Sequence, residues 1–195
     1  MIKIKPLLYQ YLCTTSSNLI TLPLDIAQTK ILASKDTIYD LNELKWLALF
    51  PLIFTSQNVV YNYLNNIKNT QLRGATAGII TAPIYIYLEI QKMYSRLNIL
   101  PKYNIFISII LIRQAIFYSI LYKISLLNIP QSSFVAALTA NTIGFPIKLL
   151  TLTISYPEFI INKKTIIISA LLEIFKASIS DGASLFLMYT PFFLN

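Results

Sequence analysis

Six long apolar stretches, separated by short polar segments, fill almost the whole chain of 195 residues. They cover residues 7–33, 44–67, 72–96, 103–127, 132–154 and 165–193. Each is long enough to cross a bilayer as a helix, for which about 20 residues suffice. The stretches lack the alternation of apolar and polar residues that is typical of barrel strands. The pattern therefore predicts an all-α membrane protein with six transmembrane helices.

Short connecting segments pair the six predicted helices into three helical hairpins of similar length. A proline falls late in the first helix of each hairpin, and successive prolines are 60 and 63 residues apart. The three prolines are Pro23, Pro83 and Pro146. Regular spacing of this kind indicates an internal repeat. We therefore expect a single domain with three repeats, at about residues 1–68, 69–128 and 129–195.

The composition agrees with a membrane protein rather than a soluble one. Hydrophobic residues make up 55% of the chain and charged residues only 12%, which is about half of the share in a soluble domain. The net charge is +8, but the basic residues lie between the apolar stretches and form no stripe, which argues against nucleic acid. The expected partners are the lipid bilayer, including anionic lipid such as cardiolipin at the connector lysines, and other membrane-protein subunits.

The sequence contains no histidine and a single cysteine, Cys13. This composition excludes a zinc cluster and an intramolecular disulfide. The chain also shows no nucleophile elbow, phosphate-binding loop or pair of carboxylates on one helix face. We therefore expect no enzymatic activity, no catalytic residue, no metal and no cofactor.

The residues around the prolines resemble those of the mitochondrial carrier family, whose odd-numbered helices carry the motif Pro-x-Asp/Glu-x-x-Lys/Arg. The first copy here has Pro23 and Asp25, with Gln28 at the position that is basic in the family. Small residues precede the second proline, where Gly74 and Gly78 predict a close approach of two helices. The resemblance covers nearly the whole chain. It implies a carrier-like fold of six spans with a pseudo-threefold repeat, in the inner membrane of a mitochondrion or a mitochondrion-derived organelle.

In that family, the acids and bases of the motif form a ring of salt bridges that closes the cavity towards the matrix and opens during transport. The acidic positions of the three copies correspond here to Asp25, Tyr85 and Lys148. The basic positions correspond to Gln28, Leu88 and Thr151. Only one of these positions carries its expected charge, and the second charged ring of the family is also missing. We therefore expect no salt-bridge ring and no transport by the mechanism usual in the family.

Polar residues inside other predicted helices are candidates for a cavity, namely Asn58, Arg113 and Asp181. An ionisable side chain inside a membrane costs about 2.5–3.5 kcal/mol on insertion scales, so it needs a partner or a function. Asp25 would either pair with Lys148 as a structural contact or act in a moving gate. Arg113 would either bind an anion or hydrogen-bond to carbonyls of a packed bundle. Asp181 would mark a kink or a polar contact.

Two main functions are consistent with these features. The missing rings favour a degenerate, non-transporting carrier-like protein, either a structural or accessory subunit of a mitochondrial membrane complex or an insertion or shaping factor. The alternative is a solute carrier for an anionic metabolite or nucleotide with altered gates, and a third is an unrelated polytopic protein. A continuous polar cavity would favour the carrier, and a filled interior would favour the structural role. The expected lining residues are Asn18, Asn58, Arg113, Asn141, Lys148 and Asp181.

Overall fold

The computed structural model describes residues 4–33, 42–127, 132–156 and 162–189. Regular structure in these residues is helical throughout, and each predicted stretch corresponds to one helix. The helices are α1 (Ile4–Ala33), α2 (Asn42–Tyr63), α3 (Thr70–Leu97), α4 (Tyr103–Ser125), α5 (Ser132–Ser155) and α6 (Lys163–Tyr189). The predicted all-α class is confirmed. Three stretches within the predicted connectors, 34–41, 128–131 and 157–161, lie outside the described residues.

The six helices form a closed ring. Each helix packs against the next one in the chain, and α1 also packs against α6. Contacts between side chains and backbone show that α1 and α6 are antiparallel, since Asn18 lies beside Ser180 and Gln28 beside Ser169. The same opposite order of contacts relates α3 to α4 and α5 to α6. A carrier-like arrangement of three repeated hairpins goes beyond these contacts and stays a prediction.

Hydroxyl groups inside the helices bond to the backbone of their own helix. Thr14, Thr21, Thr81 and Thr151 are buried, and each donates to the carbonyl oxygen four residues earlier at 2.7–3.0 Å. These local bonds satisfy donors that would otherwise be unpaired among apolar side chains. The helices can therefore carry polar residues into the ring at little cost.

The three motif prolines lie within helices and not at their ends. The helix α1 continues beyond Pro23 to Ala33, and α3 continues beyond Pro83 to Leu97. Pro146 is likewise internal to α5. All three prolines are exposed on the outer face of the ring, so they take no part in lining its interior.

Gly74 and Gly78 place the backbone of α3 directly against α4. A Cβ atom at Gly74 would lie 2.5 Å from the carbonyl oxygen of Tyr118, and one at Gly78 would lie 2.6 Å from that of Gln114. Both distances are shorter than van der Waals contact, so a larger residue at either position would force the helices apart. The close helix approach predicted from the spacing of these glycines is confirmed.

The outside of the ring exposes many large apolar side chains, and its inside contains buried charged residues. Large aliphatic side chains such as Ile20, Ile167 and Leu171 are 60–70% exposed, whereas Arg96 and Glu173 are 1% and 4% exposed. In a soluble protein, arginine and glutamate are almost never fully buried unless they are paired, and here both are paired next to a buried apolar core. The outer surface is therefore suited to an apolar surrounding.

Two helices are long and apolar enough to cross a membrane by length and composition, over Phe106–Ser125 in α4 and Ser132–Ser155 in α5. The other four, as far as they are described, do not meet this criterion. They include buried polar residues such as Gln10, Gln57 and Asn58. The structure thus supports membrane association through α4 and α5, while the six-span topology stays a prediction.

Replacing Gly78 with alanine is expected to push α3 away from α4, because the added methyl group would overlap the carbonyl oxygen of Gln114. Overpacking of this kind costs about 1–3 kcal/mol of unfolding free energy. Denaturant unfolding of the purified protein in detergent micelles, followed by circular dichroism, measures the loss. Ile79→Val, on the exposed side of the same helix, is the matched control. Equal stability of the two variants would contradict the close contact.

Candidate functional site

A cavity of about 200 Å³ lies at the centre of the ring and is lined by side chains from all six helices. Five of the six expected lining residues meet there: Asn18, Arg113, Asn141, Lys148 and Asp181. Asn58 does not, because its amide oxygen accepts a hydrogen bond from the hydroxyl of Tyr122, whose ring stacks on Tyr61. This contact holds Asn58 between α2 and α4, away from the cavity wall.

Asp25 lies at the centre of a group of ion pairs at one end of the cavity. Its carboxylate oxygens lie 2.7 Å from the guanidinium of Arg96 and 2.7 Å from the ammonium of Lys176. The ammonium of Lys92 lies 3.8 Å away. One carboxylate of α1 is therefore shared by two cations of α3 and one cation of α6.

Further ion pairs extend this group to α5. Lys148 lies 2.7 Å from Glu173, which also lies 2.9 Å from Lys176, and Glu89 lies 3.1 Å from Lys92. We call these residues the ion-pair network: Asp25, Glu89, Lys92, Arg96, Lys148, Glu173 and Lys176. They lie in the second halves of α1, α3 and α5 and up to the middle of α6, so the network joins four helices at one level.

The network differs from the sequence prediction in its pairing. Asp25 and Lys148 do not form a pair with each other, because Asp25 binds Arg96 and Lys176 while Lys148 binds Glu173. No ion pair joins two of the described motif positions, but other residues form ion pairs at this level of the bundle. The charges come from positions outside the repeated motif, since a buried charge pairs with whichever opposite charge a neighbouring helix brings close.

A neutral motif position also contacts the network. Gln28 accepts a hydrogen bond from Lys176 at 3.1 Å and donates one to the carbonyl oxygen of Ser169 at 3.0 Å. Next to it, Thr29 accepts a hydrogen bond from Arg96 at 2.9 Å. Through these bonds Lys176 and Arg96 donate to α1 in addition to their contacts with carboxylates, and the bonds hold α1 between α3 and α6.

Arg113 lies in the cavity wall apart from the network. It is 9% exposed and donates a hydrogen bond at 3.1 Å to the hydroxyl of Tyr85, the second motif position. Its guanidinium also lies 5.5 Å and 5.9 Å from the ring centres of Tyr85 and Phe117. In the described part of the chain its Nε atom has no hydrogen-bond partner, and no carboxylate lies within ion-pair distance. The cationic group is therefore available to an anion in the cavity.

Asp181 is a carboxylate in the same cavity, on α6. It accepts a hydrogen bond at 3.0 Å from the side-chain amide of Asn141, which donates a second bond to the carbonyl oxygen of Ala137. Among the described residues no basic side chain forms an ion pair with Asp181. The sequence left two alternatives for Asp181, a kink or a polar contact, and the structure shows the polar contact.

Five of the seven network residues were not among the candidates from the sequence: Glu89, Lys92, Arg96, Glu173 and Lys176. Their spacing was a usable signal. Glu89, Lys92 and Arg96 are three and four residues apart, so they share one face of α3. Glu173 and Lys176 do the same on α6. A search limited to the motif positions misses these charged faces.

Comparisons with family models, curated proteins and solved structures found no match to this chain. The resemblance to mitochondrial carriers therefore rests on the sequence pattern alone and stays a prediction.

Asp25→Asn is expected to destabilise the fold, because it leaves Arg96 and Lys176 without their shared carboxylate. Removing one partner of a buried ion pair costs about 3–5 kcal/mol, and the 20% exposure of Asp25 places the loss at the low end of that range. Denaturant unfolding in detergent measures the change.

Lys123→Gln, at an exposed residue near the end of α4, is the control and should change stability little. Adding Lys176→Met to Asp25→Asn should restore part of the loss, since the network of that variant holds four cations and only two carboxylates. Unchanged stability of Asp25→Asn alone would show that the network does not hold the helices together.

Proposed function

We propose that this chain is a multi-pass membrane protein that binds a small solute with a negatively charged group in its central cavity and carries it across the membrane. The observation that carries the proposal is Arg113, a buried cation in the cavity wall without a carboxylate partner among the described residues. A guanidinium can bind a carboxylate or phosphate through two parallel hydrogen bonds. A negatively charged group of the solute would form the direct ion pair that Arg113 lacks among the described residues.

The distribution of polar and apolar residues supports a membrane location. Aliphatic side chains cover the outside of the ring, while the ionisable residues of the helix interiors face the cavity or each other. Ionisable residues within membrane proteins take this inward position, where they mark solute or ion pathways. The resemblance to mitochondrial carriers is the support for proposing the mitochondrial inner membrane.

In the proposed mechanism, the ion-pair network closes one end of the cavity and opens to release the solute. Lys176 is shared between Asp25 and Glu173, and Asp25 is shared between Lys176 and Arg96. Because Asp25 and Lys176 each have more than one neighbour of opposite sign, pairs can be exchanged stepwise as the helices move. No charge then has to stand alone in a dry interior, which would be the costly state.

A non-transporting structural subunit of a membrane complex is the second candidate. The cavity volume of about 200 Å³ is below the range of roughly 300–1,000 Å³ common for ligand pockets. The network also ties four of the six helices together, as a rigid scaffold requires. These two observations favour a protein that keeps a carrier-like shape without transport.

Uptake into liposomes containing the purified protein tests the proposal. The expected result is saturable uptake of at least one labelled solute from a panel of small carboxylates, amino acids and nucleotides. Arg113→Gln should reduce this uptake at least tenfold, because a hydrogen bond to a charged group contributes about 1.5–3 kcal/mol. Lys123→Gln is the matched control and should leave uptake unchanged.

Failure of this test has a defined form. Absence of uptake for every solute, with a protein whose helix content and unfolding are normal in the liposomes, would overturn the carrier proposal. Co-purification of a stoichiometric membrane-protein partner from native membranes would then support the structural role.

A further inference from the structure

Two charged side chains in the cavity are left over when the ion-pair network is complete. Arg113 and Asp181 both line the cavity, and in the described structure neither forms an ion pair. They do not pair with each other either, so their charged atoms are more than 4.0 Å apart. A charge without a partner is unfavourable inside an apolar ring. Here one such charge of each sign faces the cavity, beside the residues of the ion-pair network, which line it as well.

The two charges belong to different walls of the cavity. Arg113 is on α4 and Asp181 on α6, and α5 stands between these helices in the ring. Each is held by a neutral group, since Arg113 donates to the hydroxyl of Tyr85 and Asp181 accepts from the amide of Asn141. A neutral partner orients a charged side chain and leaves it without a direct ion pair. The arrangement therefore presents a fixed cation and a fixed anion to whatever enters.

The remaining wall and the volume limit the size of a ligand. Besides Arg113, Asp181 and the residues of the ion-pair network, the lining includes apolar side chains from α1, α2 and α4, among them Leu22, Phe50, Phe54 and Phe117. The volume of about 200 Å³ is below the range of roughly 300–1,000 Å³ common for ligand pockets. This space suits a ligand with a few carbon atoms.

We propose that the cavity binds a small zwitterion, with the carboxylate of the ligand on Arg113 and its ammonium group on Asp181. The assignment rests on the proposed function, since it names the class of solute for the same cavity. A ligand with both groups compensates both charges at once. A simple carboxylate would pair with Arg113 but would be repelled by Asp181, and a simple amine would meet the reverse problem. An amino acid with a small apolar side chain meets these requirements.

Three ligands that share parts of one skeleton test this assignment: L-alanine, propionate and ethylamine. Propionate lacks the ammonium group of alanine, and ethylamine lacks its carboxylate. Isothermal titration of the purified full-length protein in detergent micelles measures each affinity. Alanine is expected to bind at least tenfold more tightly than either of the others, because each lost contact is a hydrogen bond between charged groups.

Variants assign the two contacts. Asp181→Asn removes the charge but keeps an oxygen that can accept the hydrogen bond from Asn141, so the fold should be preserved. It is expected to weaken alanine binding at least tenfold and to bind propionate as well as or better than before. Arg113→Gln should weaken the binding of both alanine and propionate, and Lys123→Gln should change neither.

Equal binding of alanine and propionate to the unmodified protein, together with no effect of Asp181→Asn on alanine, would overturn the zwitterion assignment. Carriage of simple anions would survive that result if Arg113-dependent uptake of a carboxylate is observed in liposomes. Binding of none of the three ligands would also overturn the assignment, and the uptake assay would then decide the proposed function separately. If Asp181→Asn does not fold, the ranking of the three ligands on the unmodified protein is the deciding measurement.

Discussion

Charges buried inside an apolar ring have to be neutralised, and this requirement governs how the helices of the protein face one another. Asp25 satisfies it with Arg96 of α3 and Lys176 of α6, at 2.7 Å each. Glu173 satisfies it with Lys176 on its own helix and with Lys148 of α5. A rotation of any of these helices by a fraction of a turn would separate a pair and leave a charge in an apolar environment, at a cost of several kcal/mol. The ion pairs therefore specify the orientation of α1, α3, α5 and α6.

A second kind of contact joins α3 to α4. Gly74 and Gly78 let the backbone of α3 lie so close to that of α4 that an added methyl group would overlap it. This contact depends on shape and not on charge, so it does not compete with the ion pairs for partners. One wall is held by backbone packing, while the closure between α1 and α6 is held by polar bonds such as Asn18 with Ser180.

The cavity and the network have the same origin. Ionisable residues that face inwards line the cavity. Among the described ones, Arg113 and Asp181 are those that form no direct ion pair. A protein under selection for a scaffold alone would gain from replacing such a pair with apolar residues, because well-packed hydrophobic residues are often as stabilising as buried charges. Unpaired charges of both signs in one cavity therefore favour a binding role over a purely structural one.

The sequence by itself determined the six helices, because long apolar runs bury enough surface only as helices whose backbone groups are all paired internally. It also indicated that α3 approaches another helix closely, since two glycines four residues apart allow such contact, whereas the structure shows that the partner is α4. It did not determine which charges pair. Asp25 and Lys176 are 151 residues apart in the chain, and their contact follows from the closing of the ring between α1 and α6, which no local pattern encodes. The repeated motif suggested Lys148 as the partner of Asp25. In the folded chain Lys148 lies next to Glu173 instead. The strength of an ion pair depends on the distance between the charges in space and not on their positions in a motif.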